Sequence, residues 1–322
     1  MNTELLISSR SSGQVLEVSG CAQSITYTTN RTGSPGNLKF TLIAAENIPF
    51  SEGDPVRFSV DGTLVFYGWV FTRSVDRWGV MEVTCYDRLR YLKASASYAF
   101  YGQTAGDIIR QIAGDLQLTV GQVAETGYAI PSLIKEDKTC LDIIGDAVNQ
   151  TLLNTGVVYT FFDDGDGLAL QPAGSMISNI LIGEGSLLTD YTYKSDIDQQ
   201  TYNSVKLARP NEETGRADVF VAMDSSTISE WGMLQLYQTV DGAVNDAQVA
   251  AQAEATLAYY NRPMKTFRVS SLGVVGLRAG QMAYLQVPAV PELASGAFVL
   301  LEKVTHTFEN DVHTMEFETL TL

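Results

Sequence analysis

Histidine and cysteine are scarce in this chain: two histidines and three cysteines in 322 residues. Cys21, Cys85 and Cys140 are odd in number and far apart. That argues against a disulfide framework and a zinc cluster, and for synthesis in a reducing cytosol. His306 and His313 fall short of the roughly three or four protein ligands that zinc takes. With Glu309-Asn310-Asp311 between them, they are expected as half-exposed strand residues across a hairpin. Basic charge is scarce as well. Lys and Arg number 21 against 37 Asp and Glu, a net charge of −16. No cluster of Lys and Arg is present to neutralise phosphates, so stable nucleic-acid binding is not expected. Transient passage of DNA past an acidic wall is compatible with this charge, since repulsion prevents sticking. No apolar run approaches the roughly 20 residues of a membrane span, so no membrane insertion is expected. Met1 to Arg10 lacks a basic and then apolar leader pattern, and no signal peptide is read.

Complete catalytic constellations are missing too. No Gly-x-Ser-x-Gly elbow occurs. Gly183-Glu184-Gly185 lacks the third glycine of a dinucleotide fingerprint. Carboxylate pairs drawn from 37 acidic residues discriminate nothing. Asp163-Asp164-Gly165-Asp166-Gly167 has a calcium-loop flavour but lies between strands and lacks the later glutamate. It reads as a hairpin turn. No catalytic, cofactor-binding or metal residue is assigned, and no cofactor is expected.

What is present is a β pattern that occurs twice. The first copy runs Glu52-Gly53-Asp54-Pro55-Val56-Arg57-Phe58, Phe66-Tyr67-Gly68-Trp69-Val70 and Met81-Glu82-Val83-Thr84-Cys85. The second runs Ala279-Gly280-Gln281-Met282-Ala283-Tyr284-Leu285, Leu300-Leu301-Glu302-Lys303-Val304 and Met315-Glu316-Phe317-Glu318-Thr319. The spacing from Val70 to Met81 equals that from Val304 to Met315. Each copy is a glycine turn followed by three strands, read from period-2 alternation. At 45% hydrophobic content the chain is too apolar for disorder, and its length predicts two to four subdomains.

Between the copies the pattern changes. Thr104 and Asp107 form a capping box ahead of Ile108, Ile109, Ile112 and Leu116 at helical spacing. Thr139 with Asp142 opens a second helix to about Thr151. Val157–Phe162 and Leu168–Leu170 form a hairpin around the acidic turn. Asp61-Gly62 signals another hairpin. Strands recur at Asn203–Leu207 and Val219–Val221, and the pattern from Ser225 to Asn261 is helical until Pro263. The fold class expected is mixed β and α+β, multidomain. A β domain over 1–93, an α+β domain over 94–183 and a second β domain over 184–322 follow in order. The second carries a helical excursion at about 225–262.

The aromatics supply candidate contact surfaces. Phe66 shares one strand face with Gly68 and Val70, whereas Tyr67, Trp69 and Phe71 share the other. The second set reads either as core of a small barrel or as a subunit interface, where such rings are enriched. Trp231 and Tyr237 are further interface candidates, with helix packing as the other reading.

The glycine turns and strands of both copies carry a resemblance, together with Cys85-Tyr86-Asp87-Arg88-Leu89, Thr104 to Ile112 and Tyr202-Asn203-Ser204-Val205. Ser229-Glu230-Trp231-Gly232, Leu236-Tyr237, Leu277-Arg278-Ala279-Gly280 and the segments around His306 and His313 continue it in order. The series resembles the baseplate hub proteins of contractile phage tails and phage-tail-like particles, of the XkdQ/YqbQ kind. The resemblance implies two related small β-barrel, tube-like domains per chain. It implies a homotrimer whose pseudo-six-fold ring adapts a hexameric tail tube to a trimeric central spike around an acidic axial channel. The partners implied are the chain itself, the tail tube protein, the central spike protein and other baseplate proteins. The location implied is the virion or tail-like particle, after synthesis in the bacterial host cytoplasm. Some related hubs carry fused cell-wall hydrolases, and this chain leaves no spare length after Leu322 for one, so no enzymatic role is expected. The alternative is a cell-wall- or carbohydrate-acting β protein of a tail tip, which a cleft with convergent carboxylates would favour.

Overall fold

The structure is a computed structural model describing residues 1–43, 48–211, 214–240, 242 and 244–320. Asp241 and Ala243, inside the expected helical excursion, and Leu322 lie outside the described residues.

Seven strands open the chain: β1 (Thr3–Ser8), β2 (Val15–Glu17), β3 (Ala22–Asn30), β4 (Asn37–Leu42), β5 (Pro55–Val60), β6 (Thr63–Val75) and β7 (Met81–Tyr86). Alternation builds them. Val56 and Phe58 are buried on one side of β5, while Arg57 between them is exposed. The turn from β5 to β6 is the expected Asp61-Gly62, at φ 48° and 81°. A two-residue hairpin turn of this hand requires φ > 0 at both positions.

An α+β segment follows: β8 (Ser95–Gln103), α1 (Ala105–Asp115), β9 (Val120–Val123), β10 (Ile130–Thr139), α2 (Cys140–Thr155), β11 (Tyr159–Asp163) and β12 (Leu168–Pro172). Both helices start at the expected caps. The Thr104 hydroxyl accepts from the Asp107 N–H and that of Thr139 from the Asp142 N–H. Helix α2 runs on past Thr151 to Gly156, a left-handed terminus at φ 70°. Strands β8 and β10, which sequence reasoning passed over, pair antiparallel beside these helices.

The rest comprises β13 (Ile177–Gly183), β14 (Leu188–Asp196), β15 (Ser204–Asn211), β16 (Arg216–Met223), α3 (Ser225–Trp231), β17 (Gln235–Thr239), α4 (Asp246–Tyr260), β18 (Met264–Leu272), β19 (Met282–Gln286), β20 (Ala297–Glu309) and β21 (Val312–Leu320). The stretch expected to be helical throughout is not. Strand β17 separates α3 from α4 and joins β15 and β16 in a three-stranded sheet that α4 covers with Val249, Ala253 and Leu257. Alternating Leu236 and Tyr237 in a short run leave helix and strand hard to tell apart by periodicity.

The terminal regions share one 13-stranded sheet. Within it the pairing order β3-β4-β7-β6-β5-β1 is repeated as β14-β18-β21-β20-β19-β13. The repeat extends to single hydrogen bonds. Gly53 donates to the Val70 carbonyl and Val70 to that of Asp54; Gly280 donates to Leu301 and Leu301 to Gln281. Gly53 and Gly280 have φ of 87° and 88°. Val70 therefore corresponds to Leu301, not to Val304 as the matched sequence spacing suggests. The bulges at Val70/Thr72 and Leu301/Lys303 fix this register. The sheet is an open path among the described residues, not the two closed small barrels expected. Strand β20 leaves β19 after Leu300 and from Lys303 pairs with β3 of the other module, which prevents each module from closing on itself.

Candidate assembly site

The junction between the two modules combines strand pairing, an ion pair and a shared apolar core. Strand β20 pairs with β3 from Lys303–Asn30 to Phe308–Ile25. The Thr28 and Thr305 hydroxyls face each other at 3.1 Å. The Arg31 Nε donates to the Glu302 carboxylate at 2.6 Å, and the Arg31 N–H to the Glu302 carbonyl. Phe308 crosses over entirely. It is buried in the first module's core, edge-on to Phe58 with centroids 5.1 Å apart.

Both histidines lie here, in contact rather than merely near. His306 Nδ1 and His313 Nε2 are 2.9 Å apart, and His306 Nε2 donates to the Leu277 carbonyl at 2.7 Å. With Nε2 protonated, Nδ1 of neutral His306 is the acceptor for the His313 N–H. The half-exposed expectation fails for His306, which is 2% exposed. A strand pairs on each of its flanks, β21 on one and β3 on the other. Burial lowers the pKa of His306, against the Leu277 hydrogen bond, which raises it. Burial and then His306 push His313 down to about 4.

A polar clasp ties the middle segment to both modules around a cavity of about 110 Å³ lined by Tyr27, Asp87, Asp163, Arg278 and His306. Asp163, first residue of the acidic turn, is buried and accepts from the Arg88 guanidinium at 2.6 Å and the Arg88 N–H at 2.9 Å. Arg278 donates to the Asp163 carbonyl at 2.8 Å. Asp87 accepts from the N–H groups of Gly36 and Leu89. Burial, then the Asp163 carboxylate, pushes Asp87 up to about 8. Sequence reasoning saw the turn and missed the clasp, because Arg88 and Arg278 are remote from it in sequence. The unusual feature available was an aspartate ahead of a turn already rich in them. No group of three or more His, Cys, Asp or Glu that could hold a metal ion occurs among the described residues.

The aromatic candidates separate into two places. Tyr67, Trp69 and Phe71 line the outer face of β6, each half-buried. Arg88 lies over the rings of Tyr67 and Trp69, and Tyr91 packs edge-on to Trp69 at 5.3 Å. The 3-10 turn Arg88–Lys93 thus covers much of this face. Trp231 ends α3, half-buried, and Tyr237 on β17 is 57% exposed. Neither belongs to the β6 group.

Compared with known proteins, the chain matches the model of the YQBQ-like family over residues 25–320. It is 30% identical to the phage-like element PBSX protein XkdQ of Bacillus subtilis strain 168, over 92% of this chain and 91% of that protein. It is 32% identical to YqbQ of the same strain, over 83% of this chain and 81% of that protein. In fold it resembles the tail protein from Neisseria meningitidis MC58, at a TM-score of 0.74 and 15% identity, over 100% of this chain and 97% of the other.

Proposed function

The chain belongs to the YQBQ-like family, and from that premise we propose that it is a structural hub of a phage tail or tail-like particle. Three copies form a ring that adapts a six-fold tail tube to a three-fold central spike. The observation that carries this reading is the repeated strand order within one continuous sheet. Two equivalent modules per chain turn three copies into six similar units, while true three-fold symmetry remains for a partner below. The names and fold of the relatives support a tail component. The net charge of −16 per chain suits an acidic lumen along which DNA slides without binding. Tyr67, Trp69, Phe71, Trp231 and Tyr237 are proposed contact residues toward neighbouring subunits or baseplate proteins. A permanent ring of this kind calls for a large, partly apolar interface. The chain acts as a structural part rather than as a cell-wall hydrolase.

The test is a reconstruction of an intact particle that contains the chain. Three copies on the axis between tube and spike are expected. Six copies per ring, a peripheral position or a basic channel lining would overturn the reading.

A further inference from the structure

The internal repeat has an unfinished step. Within one chain, β20 of the second module pairs with β3 of the first. The equivalents of these two strands are β6 and β14. Among the described residues, β6 beyond Val70 pairs only with β7, and β14 pairs only with β18. Each therefore offers an open row of backbone N–H and C=O groups. A long open edge invites pairing with another strand.

We propose that β6 of one chain pairs antiparallel with β14 of a second copy, in the register of the β20–β3 junction. The proposal rests on the ring reading above and supplies its interface. Equivalence through the bulges places Thr72, Ser74 and Val75 where Lys303, Thr305 and His306 stand. Tyr193 stands opposite Phe267, which is opposite Thr319, as Tyr27 stands opposite Leu38 and Leu38 opposite Cys85. Tyr193 is thus the counterpart of Tyr27, Lys194 of Thr28 and Asp196 of Asn30. The junction pairs Lys303–Asn30, Thr305–Thr28 and His306–Tyr27 accordingly become Thr72–Asp196, Ser74–Lys194 and Val75–Tyr193 between chains.

An independent observation points to the same edge. The β20–β21 hairpin delivers His306 and Phe308 to the first module, and they are 2% and 3% exposed. The corresponding β6–β7 hairpin carries Val75 at 55% and Trp78 at 74% exposure. A neighbour's second module seated there would cover them. Tyr193, the residue that would meet Val75, is itself 36% exposed. The contact is heterologous, with different surfaces on the two chains, so repetition closes a ring or runs on as a filament.

The experiment joins Ser74→Cys to Lys194→Cys in the full chain, with Cys21→Ser to remove the partly exposed native thiol. Side chains directly opposite in antiparallel strands lie within disulfide reach. Mild oxidation of the concentrated protein is followed by a non-reducing gel and peptide mass mapping. The expected result is a linkage between these two positions in species of up to three chains, at several times the yield of the off-register pair Ser74→Cys with Thr192→Cys. Cross-linking no better than that control overturns the proposal, and so does a trimer by mass that lacks the linkage, which leaves the hub reading standing. The linkage in a ladder that continues past three chains upholds the strand pairing and overturns the three-fold ring.

Discussion

The two β modules share a strand order and differ in how they handle one connection. The first joins β3 to β4 through residues 31–36, whereas the second places residues 197–263 between the equivalent β14 and β18. The long connection folds into its own sheet and helix around Val205, Leu207, Val249 and Ala253. It enters and leaves at neighbouring points, held where the Thr201 hydroxyl donates to the Arg262 carbonyl. An insertion whose ends meet leaves the parent sheet intact, and this is why the repeat survives so different a sequence length. A second difference lies at the edges: β1 runs antiparallel to β5, but β13 runs parallel to β19. Strand β13 enters the module from the middle segment, directly after β12 and a short turn, whereas β1 opens the first module. What is common to both modules is the glycine turn and the bulged strand, which makes these the architectural minimum.

The largest expected effect separates the two hairpins. Phe308 is a buried core residue of the module it reaches across to, so Phe308→Ala should cost the single chain about 3–5 kcal/mol in urea unfolding. Trp78→Ala on the equivalent hairpin removes an exposed ring and should change unfolding by no more than about 1 kcal/mol. Equal effects at the two sites would show that the modules are not differently used.

The next comparison sharpens the glycine turns. Gly53 and Gly280 share the same backbone conformation, one that side chains rarely adopt. A Cβ on Gly53 meets nothing within 4 Å, whereas one on Gly280 falls 2.1 Å from the Thr160 side chain. Gly53→Ala should cost about 1 kcal/mol through backbone strain alone. Gly280→Ala should cost about 1–3 kcal/mol more, because the middle segment must also shift. Matching losses by thermal or urea unfolding would mean that Thr160 yields freely.

These contrasts mark what was legible in sequence. Local signals carried through: Asp61-Gly62, the caps at Thr104 and Thr139, and the hairpin around Asp163–Gly167 all depend on neighbouring residues. The repeated module was visible as a pattern, yet its register was misread by the spacing to Met81 and Met315. A bulge adds a residue without changing composition, and the β20–β21 hairpin is longer than its counterpart. The interdomain features were invisible for another reason. Arg88 meets Asp163, and His306 meets Tyr27, only because the sheet joins distant segments. Alternation likewise gives a strand's faces but not its flanking partners, so His306 looked half-exposed until β3 was seen beside it.

The smallest effect concerns protons, and it too divides the modules, since both histidines of the chain lie in the second. His306 Nε2 is committed to Leu277 and its Nδ1 to the His313 N–H. A proton added to either ring puts charge into a junction where His306 is fully enclosed, and protonating both would also set two donors against each other. The folded state therefore holds both neutral, with pKa values below the ordinary histidine value near 6.5. The unfolded chain takes up protons near that value while the folded one does not. The histidine contribution to stability is thus complete above about pH 6.5 and is lost as pH falls from there toward the His313 value of about 4. Asp87, raised to about 8, acts in the opposite sense, because the folded state keeps a proton that the unfolded carboxyl releases near its usual value of 3.8. Bulk stability against pH mixes the two. NMR titration of the imidazole C–H signals isolates the pair, as the chain has only these two rings. Both signals should stay at their neutral positions at pH 5.5 in the folded protein. A midpoint near 6.5 for His306 would mean that the ring is not locked between Leu277 and His313, and that the junction opens in solution.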